Sequence, residues 1–171
     1  NLVQSLDASL KRLGTDYVDL YWVHAWDFMT PVEEVMRALD DVVRAGKVLY
    51  VGVSDVPAWV ASQANTLAEL RGWSKFVGLQ IPYSLIERTP ERDLLPMART
   101  LDIAVTSWGP VGGGALTGKY EKGKPYPKGD RLSEGPWGAS ILTERNLAIG
   151  RVVKEVAAEI DRTPSQVAIA W

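Results

Sequence analysis

YVDLYWVH, residues 17–24, is the stretch whose reading decides the fold. Apart from Asp19 it is apolar on both faces, and it ends on the only histidine of the chain. A strand apolar on both sides belongs in a parallel sheet covered by helices. Upstream, Leu2, Val3, Leu6, Leu10 and Leu13 recur at helical spacing, which predicts a helix over residues 2–13 that Gly14 ends. Downstream, Thr30 is placed to cap and Pro31 to open a second helix, with Glu33 at the capping-box position. Val32, Val35, Met36, Leu39, Val42 and Val43 form its apolar face, and Gly46 stops it. VLYVGVS (48–54) then reads as a second buried strand, and KFVGLQI (75–81) and IAVTSW (103–108) as a third and a fourth strand, separated by helices over 57–71 and about 91–101. Strict alternation predicts an α/β fold with a parallel sheet of right-handed crossovers, either a (β/α)₈ barrel of TIM type or a doubly wound sheet. Residues 109–138, rich in Gly and Pro, are too long for a connector and read as a functional loop. A last helix is predicted over 143–160, with a further helical start after residues 162–164.

Composition narrows the function. The 171 residues are 46% hydrophobic and 23% charged, with 19 basic against 21 acidic side chains and a formal charge of −2. That is one ordinary globular domain, residues 1–171, with no basic surface for nucleic acid. The absence of Cys removes disulfides and thiolate metal sites and suits a cytoplasmic setting. No apolar run is long enough to span a bilayer, so no membrane association is expected. The chain begins without Met and stops at AIAW inside a predicted helix, which suggests that both ends are cut.

In parallel α/β folds ligands sit at the carboxyl ends of the strands. That rule selects His24, Ser54 with Asp55, Gln80, and Trp108 with Gly109. A lone histidine is more often a packing residue than a catalyst. Four strands that end alike shift the balance toward function. GGALTGKY, residues 113–120, nearly matches the phosphate-binding pattern G-x-x-x-x-G-K-[ST] but fails at Tyr120, which cannot supply the small hydroxyl for Mg²⁺. Gly113 and Lys119 could still meet a phosphate from a flexible loop. Trp26 and Trp137 lie in loops and are candidates for a substrate pocket, with surface packing as the alternative. One His, no Cys and no acidic cluster at ligand spacing argue against a metal site.

Four motifs, SLKRLGTDYVDLYWVH, GKVLYVGVSD, LQIPYSLIER and WGPVGGGALTGKY, occur in an order that closely resembles the aldo-keto reductases, and the likeness covers essentially all 171 residues. The resemblance implies a (β/α)₈ barrel that binds NADPH at its carboxyl face and reduces aldehydes or ketones through a tetrad of Asp, Tyr, Lys and His. His24 matches the tetrad's histidine, orienting the substrate carbonyl. Ser54 and Gln80 match the side chains that hold the nicotinamide carboxamide, and Asp55 stands where many relatives have Asn. Trp108 matches the aromatic that stacks on the nicotinamide. Gly109, Pro110, Val111, Gly112 and Gly113 match the loop around the pyrophosphate, with Lys119 and Arg131 as further cofactor contacts. Relatives carry Ser at Gly109, so a hydroxyl is missing there.

The match runs from the helix before strand four to the helix before strand eight. This chain is therefore expected to cover about four of the eight strand-helix units and to lack the tetrad's Asp, Tyr and Lys. Two readings follow: part of an active NADP-dependent carbonyl reductase, or a truncated member acting as a cofactor-binding or assembly module without turnover. An Asp-x-x-x-x-Tyr segment and a strand-ending Lys upstream of Asn1 would separate them. A sheet cut from a barrel is also expected either to pair with a second copy through its open edges or to aggregate.

Overall fold

The computed structural model describes residues 1–126 and 128–171. Helix α1 (Leu2–Leu13) is followed by β1 (Val18–Val23), α2 (Val32–Arg44), β2 (Val48–Ser54), α3 (Ala58–Arg71), β3 (Phe76–Pro82), α4 (Leu94–Thr100) and β4 (Ala104–Trp108). The strands form one parallel sheet in the order β1-β2-β3-β4. After β4 come a 3₁₀ segment (Gly112–Thr117), the short helices α5 (Arg131–Glu134) and α6 (Gly138–Ile141), then α7 (Glu144–Glu159) and α8 (Pro164–Ala170). The chain divides into two compact units, Asn1–Ile81 with Glu91–Thr106 and Pro82–Pro90 with Ser107–Trp171.

In the first unit the apolar faces of the helices close on one side of the sheet. Leu6 and Leu10 of α1, Met36, Leu39 and Val42 of α2, and Val60, Ala61, Ala64 and Ala68 of α3 are buried, together with Val51 and Val53 of β2 and Phe76, Leu79 and Ile81 of β3. Two buried polar side chains fix how these layers meet. The Asn65 amide donates to the Phe76 carbonyl at 2.9 Å and accepts from the Phe76 N–H at 2.8 Å, which pins α3 to the start of β3. Asp40 of α2, only 5% exposed, accepts from the Ser74 N–H at 2.8 Å, the Ser74 hydroxyl at 3.1 Å and the Arg44 guanidinium, which also reaches the Gly72 carbonyl. Burial alone pushes the Asp40 carboxyl up, but these donors outweigh it and hold the group below its ordinary value.

The expectation that β1 is buried on both sides is not met among the described residues, where none of its residues is buried. β1 and β4 are the outer strands of this sheet, every residue of β4 is exposed, and Leu20 and Tyr50 are exposed as well. Apolar patterning reports what a strand can bury, whereas its place in the sheet decides what it does bury. The expected cap of α2 is also corrected. Pro31 occupies the N-cap, so Thr30 stands one residue too early and no side chain caps the helix; the Thr30 hydroxyl donates to Asp27 Oδ2 at 2.7 Å. Asp27 Oδ1 accepts from the N–H groups of Met29 and Thr30, both at 2.9 Å, and these bonds, Thr30's first, hold its carboxyl below the usual range. At the other end of the chain Thr163 and Gln166 form a true capping box on α8.

One packing feature crosses three strands. Trp22, Gly52 and Gly78 are lateral neighbours on β1, β2 and β3. A Cβ at Gly52 would lie 2.5 Å from Trp22 Cζ3, and one at Gly78 would lie 2.9 Å from Cη2. The indole therefore rests on bare backbone. Gly52→Ala is expected to destabilise the fold by ~1–3 kcal/mol through overpacking. Denaturant midpoints of the single variants and of Gly52→Ala with Trp22→Leu would check this. If the pair is additive, the clash is not the cause.

The second unit builds its own core. Ala115, Tyr120 and Leu132 pack with Ile86, Ile141, Leu142 and Leu147, while Leu116, Val153 and Ala168 pack with Leu85, Val111, Ile149 and Val167. Tyr120, the residue that breaks the phosphate-loop pattern, is thus a core residue. The described residues that follow it, 121–126 and 128–130, are not helical.

Candidate active site

Each strand-end candidate stands where the sequence places it in its own unit. In the first unit His24 follows β1 directly and is exposed, so it is not packed into the core. Ser54 is the buried last residue of β2, and Gln80 is half-buried in β3. Asp55 is exposed at φ 42°, left-handed backbone that Asp and Asn tolerate better than other side chains. Its carbonyl accepts from the Trp26 N–H at 3.2 Å, which ties the turn after β2 to the turn after β1. Trp26 itself is buried.

The second unit contains a cleft of about 570 Å³, within the size range of small-molecule sites. Trp108, Gly109, Gly112, Gly113 and Arg131 all line it, joined by Tyr83, Ser84, Trp137 and Ser140. Trp108 is 51% exposed, open enough for its side chain to meet a ligand. Backbone bonds shape the turn after β4: the Gly112 N–H donates to the Gly109 carbonyl at 2.8 Å, and Gly114 and Leu116 both donate to the Val111 carbonyl. Gly112 adopts φ 59°, and a Cβ there would stand 2.5 Å from Ile86 Cδ1, so this wall must be backbone. Pro110 and Val111 do not line the cleft, and Val111 packs instead on the Leu116 cluster.

Lys119 also stays out of the cleft wall. Its ammonium pairs with Asp130 Oδ2 at 2.9 Å and lies 5.2 Å from the centre of the Tyr120 ring. The bond to Asp130 holds the ammonium's pKa above its usual value. The pair closes the loop between residues 119 and 130, and the next residue, Arg131, lines the cleft. Lys119 thus orders the segment that carries Arg131.

Tyr83, Ser84 and Ser140 were absent from the sequence candidates. Tyr83 and Ser84 follow β3 directly, so the strand-end rule would have found them had it been carried past Gln80. The Tyr83 N–H donates to the Trp108 carbonyl at 3.3 Å, which fixes the backbone of that residue. Ser140 carries no such signal, because its helix depends on local packing within a Gly-rich loop. Among the described residues no group of three or more His, Cys, Asp and Glu is arranged to hold a metal, and no helix is long and apolar enough to cross a membrane.

The arrangement has known counterparts. The chain is 37% identical to the versiconal hemiacetal acetate reductase of Aspergillus parasiticus, over 100% of this chain and 50% of that protein. It is 35% identical to the aryl-alcohol dehydrogenase [NADP(+)] of Phanerodontia chrysosporium, over 98% of this chain and 44% of that one. Among solved structures, the glycerol dehydrogenase AKR11B4 of Gluconobacter oxydans superposes with a TM-score of 0.82 at 28% identity, covering 99% of this chain and 50% of that chain. The chain spans about half the length of these relatives. The model of the Aldo/keto reductase family matches residues 1–171 from end to end, and with the parallel sheet and its strand-end residues this establishes that the chain belongs to the aldo/keto reductase family.

Proposed function

We propose that these residues serve an NADP-dependent reductase of aldehydes or ketones, with the cleft of the second unit holding the cofactor and His24 acting on the substrate. One observation carries the reading: Trp108, half-exposed at the end of β4, shares a cleft with a glycine wall and a guanidinium. The residues fit a dinucleotide. An indole face suits the flat nicotinamide. Backbone without Cβ atoms at Gly112 and Gly113 allows close approach to a pyrophosphate, and Arg131 offers a cation to it. When bound, the reduced nicotinamide supplies the hydride. His24, exposed after β1, donates an N–H to the carbonyl oxygen and stabilises the charge that grows on it. Ser54 and Gln80 hold the carboxamide in this reading, which the resemblance to family members supports, and Asp55 stands beside them where many relatives have Asn. NADP rather than NAD is supported by the cofactor named for the Phanerodontia chrysosporium relative.

Binding tests the reading directly. NADPH should quench tryptophan emission of the protein that contains these residues, and Trp108→Ala should weaken binding by ~1–3 kcal/mol, the scale of a lost stacked ring. Titrating NADPH and NADH side by side gives the cofactor preference. An unchanged NADPH dissociation constant in a folded Trp108→Ala protein would sink the assignment.

A further inference from the structure

Trp137 is the second tryptophan of the cleft, and the residue is 62% exposed. An indole left that open forgoes the burial that normally stabilises so large an apolar side chain. Its backbone, by contrast, is clamped. The Trp137 carbonyl accepts from the Ser140 hydroxyl at 2.9 Å and from the Ile141 N–H at 3.1 Å. The next residue, Gly138, is buried so tightly on α5 that a Cβ would stand 1.9 Å from the Leu132 carbonyl oxygen. These contacts fix the backbone at the corner between α5 and α6, from which the ring projects. An exposed aromatic on a fixed backbone beside a cleft needs no backbone ordering to meet a ligand, which lowers the cost of binding. Arg131, at the start of α5, lines the same cleft, so a ring resting there has a cation available for any anionic substituent.

We propose that Trp137 is a second stacking platform, taking a planar aromatic ring in addition to the one assigned to Trp108. The ring is either the adenine of the cofactor or the aryl group of a carbonyl substrate. The inference rests on the cofactor reading of the cleft and extends it to a residue that the family likeness did not supply.

The test uses the protein that contains these residues, with Trp137→Ala and the ring-preserving Trp137→Phe. Four probes are compared: binding of NADPH, binding of dihydronicotinamide mononucleotide, which has no adenine, and KM for benzaldehyde and for propanal. If adenine is the ring, Trp137→Ala weakens NADPH roughly 5- to 100-fold and leaves the mononucleotide unchanged, while Trp137→Phe stays near wild type. If the substrate supplies the ring, KM for benzaldehyde rises by a similar factor and that for propanal does not. Either result supports the platform. A folded Trp137→Ala protein unchanged with all four probes overturns it while the cofactor reading stands. A wild-type protein that binds no NADPH defeats the cofactor reading and this inference together.

Discussion

Replacing His24 by Ala, in the protein that contains these residues, is expected to lower kcat about 10²- to 10³-fold, or ~2.7–4 kcal/mol of transition-state stabilisation. NADPH affinity should be unchanged. The magnitude follows from losing one hydrogen-bond donor to an oxygen that becomes more negative as hydride arrives. Such a donor contributes more in the transition state than in the ground state, so the loss falls on kcat rather than on binding. His24→Gln keeps an N–H donor and should recover part of the rate. The exposure of His24 after β1 makes a folding defect an unexpected outcome. A collapsed melting temperature, with full activity in the folded fraction, would return the residue to a packing role.

The largest effect on stability is expected at Asp40. Asp40→Ala should reduce the unfolding free energy by ~2–4 kcal/mol, because it leaves the Ser74 N–H, in the connection to β3, without its buried acceptor. Arg44 contributes little to that sum, since its side chain is 66% exposed and solvent screens it. The sign of the pH dependence follows from the depressed carboxyl. Asp40 stabilises fully above its unfolded pKa near ~4, and the contribution drains away as pH falls through the lower folded value. Asp40→Asn should therefore flatten the acid limb of the stability profile. Urea unfolding between pH 2.5 and 7 reads both effects, and parallel wild-type and Asp40→Asn curves across that range would refute the linkage.

The elements were legible because their periods are local properties. VLYVGVS reads as a strand and is one with the same boundaries, and the helix read over 143–160 is α7, Glu144–Glu159. The strand-end rule likewise reached His24, Ser54, Gln80 and Trp108, and the structure leaves each at the carboxyl end of its strand. What failed to show depends on partners distant in sequence. Asp40 sits on a helical face beside ordinary polar residues, and only the approach of Ser74 turns it into a buried acceptor. Thr30 offered a sound cap, but the helix begins one residue later, with Pro31 at the N-cap. Lys119 looked free to meet a phosphate until Asp130 closed on it. The short helices of residues 131–141 escaped because neither is long enough to show a period.

The indole of Trp22 also has a consequence for how the sheet assembles. Val51 pairs with Phe76 but Gly52 pairs with Gly78, so β3 carries one extra residue at Val77, and that bulge aligns the second glycine with the first. Slide β2 one residue along β1 and a valine, Val51 or Val53, arrives beside the indole where only hydrogen fits. Parallel strands made largely of Val, Leu and Ile have few features to tell one alignment from the next. A bulky ring that seats only in a two-glycine trough supplies such a feature. A shifted pairing that sets a valine against the indole is disfavoured by that clash.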